Sequence, residues 1–229
     1  MMIRLTADDG HVLDAHEVHP DGATASVVII QEIFGVNPHI RSVVDRYASF
    51  GYRAIAPALF DRVERGVELD YDPSGIERGR EMAMSVTWRP ALSDLAAAVA
   101  HVADSGPVAA IGFCFGGSLA WLAANELPVA AAVGYYGGRI HELIDRAPMV
   151  PTMLHFGALD QAIPLDHVDA IRRQHPLVPV HVYAVAQHGF SCDARASYHA
   201  MSAAMALGRT LEFLVACGVR PRDVGEPAS

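Results

Sequence analysis

Ile111-Gly112-Phe113-Cys114-Phe115-Gly116-Gly117 is the stretch on which the reading of this chain turns. A short apolar run, Pro107-Val108-Ala109-Ala110, precedes it, and a helix-like run, Ser118-Leu119-Ala120-Trp121-Leu122-Ala123-Ala124, follows it. Strand, Gly-x-nucleophile-x-Gly, helix is the pattern of a nucleophile elbow, a sharp turn that lifts one side chain above the edge of a sheet. Cysteine stands at the nucleophile position. A thiol can ionise near neutral pH, whereas a hydroxyl needs a base at the moment of attack. Free cysteines are commonly inert core residues, but the glycine frame around Cys114 favours thiol-dependent hydrolysis.

Outward from the elbow, strand and helix signals alternate. Ser26-Val27-Val28-Ile29-Ile30 is continuously apolar, as expected for a strand buried on both faces. Residues 38–50 are amphipathic and stop at Gly51, a helix end. Residues 53–56 form the next strand and end at Pro57, and 74–84 and 90–103 read as two helices. Beyond the elbow come strands at 129–133, 152–156 and 180–185, a helix at 166–174, and a last helix from about 195 to 217. This alternation predicts an α/β fold with a mostly parallel, doubly wound sheet flanked by helices. One domain covers 1–220, and 221–229 reads as a frayed tail. The long polar loop at 59–72 is expected to form part of a lid or site wall.

Composition narrows the function. With 52% hydrophobic and 19% charged residues in a chain of 229, a disordered protein is excluded. The net charge of −9 and the lack of a Lys/Arg cluster set nucleic acid aside. No apolar run is long enough to span a bilayer, and the N-terminus shows no apolar leader, so no membrane partner is expected. The three cysteines, Cys114, Cys192 and Cys217, form no CxxC pair and suit a reducing cytoplasm. His11, His16 and His19 lie on a strand-like N-terminal segment without metal-site spacing, so no metal or cofactor is expected. Met82, Met84 and Trp88 read as core or pocket wall.

The remaining chemistry follows the order nucleophile, acid, base. Asp160 lies just past a strand that ends in His155-Phe156-Gly157, and His188 follows the next strand and precedes Gly189. Open α/β sheets place their sites at the carboxyl ends of strands, so Cys114, Asp160 and His188 should converge there. Asp166 and Asp193 compete with Asp160 for the acid's role, although Asp166 better suits the first turn of its helix. Glu32 directly follows a buried apolar strand, where a carboxylate is costly unless paired or exposed at a site. The backbone N–H groups of Ile33 and Phe115 are the expected oxyanion donors.

Taken together, five stretches resemble the dienelactone hydrolase family (carboxymethylenebutenolidases) of the α/β-hydrolases. They are Gln31-Glu32-Ile33-Phe34-Gly35-Val36-Asn37, Gly112-Phe113-Cys114-Phe115-Gly116-Gly117, Val133-Gly134-Tyr135-Tyr136-Gly137, Gly157-Ala158-Leu159-Asp160 and His188-Gly189-Phe190. The resemblance implies lactone ring opening by Cys-His-Asp without metal or cofactor. It also implies that Glu32 pairs with the thiol at rest and later takes its proton. Two arginines for the substrate carboxylate are implied as well. Arg80 falls on the first position, but the second, four residues after His188, holds Cys192, and Arg195 is the nearest arginine. Tyr135 is a further candidate substrate contact, against the alternative of core packing with a bonded hydroxyl. The expected partner is a small lactone or ester, handled by a monomer or small homo-oligomer. Alternatives are a broader carboxylesterase or thioesterase, and a non-catalytic scaffold that binds a ligand or senses oxidants through Cys114. A disulfide between Cys114 and Cys192 under oxidation is weighed against an ordinary loop thiol at Cys192.

Overall fold

The apolar runs become the centre of one sheet in the computed structural model, which describes residues 1–222. Among those residues the strands are β1 Met2–Thr6, β2 Val12–Val18, β3 Ser26–Ile30, β4 Arg53–Pro57, β5 Val108–Phe113, β6 Ala131–Tyr135, β7 Thr152–Gly157 and β8 Val180–Tyr183. Their order across the sheet is β1-β2-β4-β3-β5-β6-β7-β8. β2 runs antiparallel to β1 and β4, and all remaining pairs are parallel. Every residue of β3, β4, β5, β6 and β7 is buried, as a parallel sheet covered on both faces requires.

The covering helices are α1 Pro38–Ser49, α2 Pro73–Ser85, α3 Trp88–Val102, α4 Phe115–Glu126, α5 Leu165–Gln174 and α6 Ala200–Ala216. Local signals start two of them well. Asn37 and Asp72 each accept a hydrogen bond from a backbone N–H three residues on, and a proline follows in the first turn of both α1 and α2. α6 is tied to the sheet by Thr210, which bonds both the Tyr135 hydroxyl (2.7 Å) and His155 (3.1 Å).

Several boundaries differ from the sequence reading. β6 starts at Ala131, two residues later than expected, because Ala130 is still turning and donates to the Val108 carbonyl. β8 stops at Tyr183, where Ala186 N–H closes a turn onto the Tyr183 carbonyl. α6 begins at Ala200, not near 195, because His199 caps it by accepting from Ser202 N–H. β1 was not anticipated and is an edge strand with Leu5 as its one buried residue. Residues 223–229 of the expected tail lie outside the described residues, whereas Arg222 donates to the Asp21 carbonyl. Among the described residues no helix is long and apolar enough to cross a membrane.

The sheet positions the site through its order. β4 lies on one side of β3 and β5 on the other, so the crossovers diverge above this pair. Ligands of open α/β sheets bind at such a divergence, beyond the carboxyl ends of the strands. Glu32 follows β3 and Cys114 follows β5.

Candidate active site

Cys114 sits at φ 54°, ψ −112° between β5 and α4. A non-glycine residue in that region stores about 1–3 kcal/mol of strain and persists only when its surroundings over-determine it. Here Cys114 N–H donates to the Tyr135 carbonyl (3.0 Å) and Gly116 N–H donates to the Gln31 carbonyl (3.1 Å). The glycines permit this turn by close approach. A Cβ on Gly112 would overlap the Gly116 carbonyl, and one on Gly116 would overlap the Ile30 carbonyl.

The strained turn presents sulfur to His188, whose Nε2 lies 3.1 Å from Cys114 Sγ. His188 Nδ1 lies 2.8 Å from Asp160 Oδ2. Asp160 is held in turn by Ala162 N–H, which donates to Oδ1 (2.8 Å). The competing acids are engaged elsewhere. Asp166 caps the N–H of His167, and Asp193 pairs with His39. Burial of His188 opposes its charge, but the neighbouring sulfur and Asp160 outweigh burial and raise it from 6.5 to about 10. An imidazolium donating to sulfur favours negative charge there.

Ile33 and Phe115 line the same cleft, and the backbone N–H of neither donates to a protein acceptor among the described residues. Two such amides can hold an oxyanion that forms beside the sulfur. Glu32 is fully buried, but its partners differ from those expected. Arg195 donates to Oε1 and the Tyr71 hydroxyl donates to Oε2, both at 3.3 Å. The expected resting pair between Glu32 and the thiol is therefore not formed: the guanidinium claims the carboxylate and His188 claims the thiol. Arg195 is steadied over the rings of Phe34 (5.6 Å) and Tyr71 (5.7 Å).

A profile of the dienelactone hydrolase family matches residues 13–217. The chain belongs to the dienelactone hydrolase family. It is 35% identical to a carboxymethylenebutenolidase of Pseudomonas putida, over 93% of this chain and 94% of that one. A carboxymethylenebutenolidase of Pseudomonas sp. strain P51 is 32% identical, with 93% of each chain covered. A crystal structure from Klebsiella pneumoniae, of a protein named for the same family, superposes with a TM-score of 0.80 at 30% identity, covering 94% of this chain and 99% of its own.

In this hydrolase the cleft above the thiol holds about 570 Å³, within the ordinary range for small-molecule sites. Its wall includes Ile76, Arg80 and Met84 from α2, so residues 73–85 supply part of what the sequence assigned to the preceding loop. That loop contributes Tyr71 to the Glu32 cluster. Arg80 is exposed and makes no ion pair among the described residues. Arg139 also lines the cleft and lies 4.4 Å over Trp88, which stacks on Phe115 at 5.8 Å. Among the described residues no carboxylate lines the cleft.

Tyr135, expected as a substrate contact, does not line this cleft. It is 2% exposed, and its hydroxyl bonds Thr210 away from this cleft. Cys192 is buried, and burial together with the Glu32 carboxylate pushes its thiol up to about 12. All three cysteines are free. Tyr71, Arg139 and His39 were not singled out by the sequence, because each joins the site through contacts 34 or more residues distant or through ring stacking.

Proposed function

We propose that this hydrolase opens an enol-lactone, or cleaves a related activated ester, through a thioester at Cys114. The observation that carries the reading is the line Cys114 Sγ–His188–Asp160, at 3.1 and 2.8 Å, set on a strained elbow in a cleft that Ile33 and Phe115 also line. Sulfur attacks the carbonyl carbon, and the C=O electrons move onto oxygen facing the Ile33 and Phe115 N–H groups. Collapse of this intermediate breaks the ring C–O bond, and His188 gives its proton to the leaving oxygen. Water then attacks the thioester while His188 takes a proton from it. The second collapse releases the carboxylic acid and returns sulfur to His188. Asp160 keeps His188 in the tautomer that faces sulfur and stabilises its charge.

The arginine-lined cleft, with no carboxylate on its wall among the described residues, supports a substrate that carries an anionic group, with Arg80 as its partner. Arg195 serves this reading through Glu32, which it holds in place. A broader carboxylesterase is the second reading. It is favoured by the cleft volume, about 570 Å³, which exceeds the needs of a single five-membered lactone ring.

The decisive comparison is hydrolysis of a dienelactone and of p-nitrophenyl acetate by wild type and Cys114→Ala. Fast dienelactone turnover that vanishes in the variant supports the lactonase reading. Turnover of the acetate alone moves the assignment to the esterase. Turnover that survives in Cys114→Ala sinks the thiol mechanism.

A further inference from the structure

Three side chains from separate segments converge beside the triad. A carboxylate oxygen of Glu32, a ring nitrogen of His39 and the Sγ of Cys192 all lie within 4.8 Å of one another. Glu32 follows β3, His39 is in the first turn of α1, and Cys192 lies in the segment before α6. All three are buried, Glu32 and Cys192 completely and His39 to 5% exposure. Thiolate, imidazole and carboxylate together are a donor set suited to zinc and its neighbours in the periodic table.

The histidine supplies an independent observation. Its Nδ1 lies 3.0 Å from Asp193 Oδ1, while its Nε2 is buried with no hydrogen-bond partner. A buried polar atom left without a partner costs roughly 1–3 kcal/mol. A ring fixed by a carboxylate on one nitrogen, with the other left to bind, is the arrangement found around histidine ligands of metals. Asp193 is itself 3.6 Å from Arg46 on α1, which fixes its direction.

We infer that Glu32, His39 and Cys192 form a site for a thiophilic divalent cation such as Zn²⁺, whose binding competes with the Arg195–Glu32 pair and lowers turnover. Metal–ligand bonds of about 2.0–2.3 Å place tetrahedral donors roughly 3.3–3.8 Å apart, so donors within 4.8 Å of one another must close by up to about 1.5 Å. Coordination sends the Cys192 S–H proton to solvent and leaves sulfur bound as thiolate. The ion then satisfies the charge on Glu32 that Arg195 now balances. Because Arg195 also lines the cleft, its release changes the wall that substrate meets.

The test uses Co²⁺ as the probe and Cys114→Ser protein, so that the nucleophilic thiol cannot contribute. About one cobalt per chain should bind and give a thiolate-to-cobalt charge-transfer band. That band should disappear on adding Cys192→Ala and persist on adding Cys217→Ala. Zn²⁺ should displace the cobalt. Asp193→Asn should weaken binding roughly 10–100-fold, as loss of a carboxylate behind a histidine ligand does. His39→Gln gives a second variant should Cys192→Ala fail to fold, which circular dichroism in EDTA would reveal. A band that survives Cys192→Ala, or affinity unchanged in both His39→Gln and Asp193→Asn, overturns the proposal. No turnover enters this measurement, so its failure leaves the hydrolase reading intact.

Discussion

At the scale of single residues, the unusual quantity is the charge on His188. Its ring stays protonated to about pH 10 beside sulfur and Asp160. A histidine raised in the folded state stabilises the protein fully below its ordinary value near 6.5, and that stabilisation fades as the pH climbs through the folded value. The melting temperature of wild type should therefore fall more between pH 7 and 10 than that of Cys114→Ala, where the sulfur beside His188 is gone. Parallel melts at the two pH values check this, and equal losses would count against an imidazolium at rest. Asp160→Asn keeps the shape but not the charge or tautomer control, so its kcat should drop roughly 10³–10⁴-fold with little change in KM. Arg80→Ala should raise KM for a carboxylated lactone about 10–100-fold, as expected for losing a charge-assisted bond of about 1.5–3 kcal/mol, and should spare a neutral ester. Cys114, Asp160 and His188 were legible in sequence because each follows a strand within a short motif. The partner of Glu32 was not, because Arg195 reaches it across 163 residues of chain.

Among the secondary elements, α2 is more than a wall. A Cβ on Gly79 would overlap the carbonyl of Ile33, so the helix rests directly on the loop that carries the proposed oxyanion donor. Gly79→Ala should push the two apart, lowering kcat at least about tenfold, since one oxyanion donor is worth 10²–10³ in full. Thermal unfolding of the same variant shows whether the fold survives, and an unchanged kcat would place Ile33 outside the chemistry. The sequence located the buried parallel strands well because unbroken apolar runs have few other uses. It misplaced the start of α6 because Ala194-Arg195-Ala196-Ser197 is locally compatible with helix. Tertiary demands override that preference: Asp193 is drawn to α1 and Arg195 to Glu32 before the chain turns into the helix.

Across the whole molecule, a net charge of −9 surrounds a cleft lined by Arg80, Arg139, Arg195 and the protonated His188 and, among the described residues, by no carboxylate. A local field opposed to the overall charge draws anions inward and is screened by salt. For an anionic substrate, kcat/KM should decline as ionic strength rises from about 10 mM to 500 mM, whereas a neutral ester should show little change. The fold class and the sheet edge that bears the chemistry were both legible, since alternation of strand and helix permits few alternatives. The side-chain cluster behind Glu32 was not, because it depends on how three distant segments meet. The seam between β3 and β5, where Ser26–Ile30 pairs with residues 108–112, divides the roles in another way. Everything before the seam supplies Glu32, Ile33 and Arg80, and everything after it supplies Cys114, Asp160 and His188. A chain severed near Gly106 would thus yield two polypeptides, each lacking what the other holds. Recovered hydrolysis on mixing them would then report their reunion along one strand ladder.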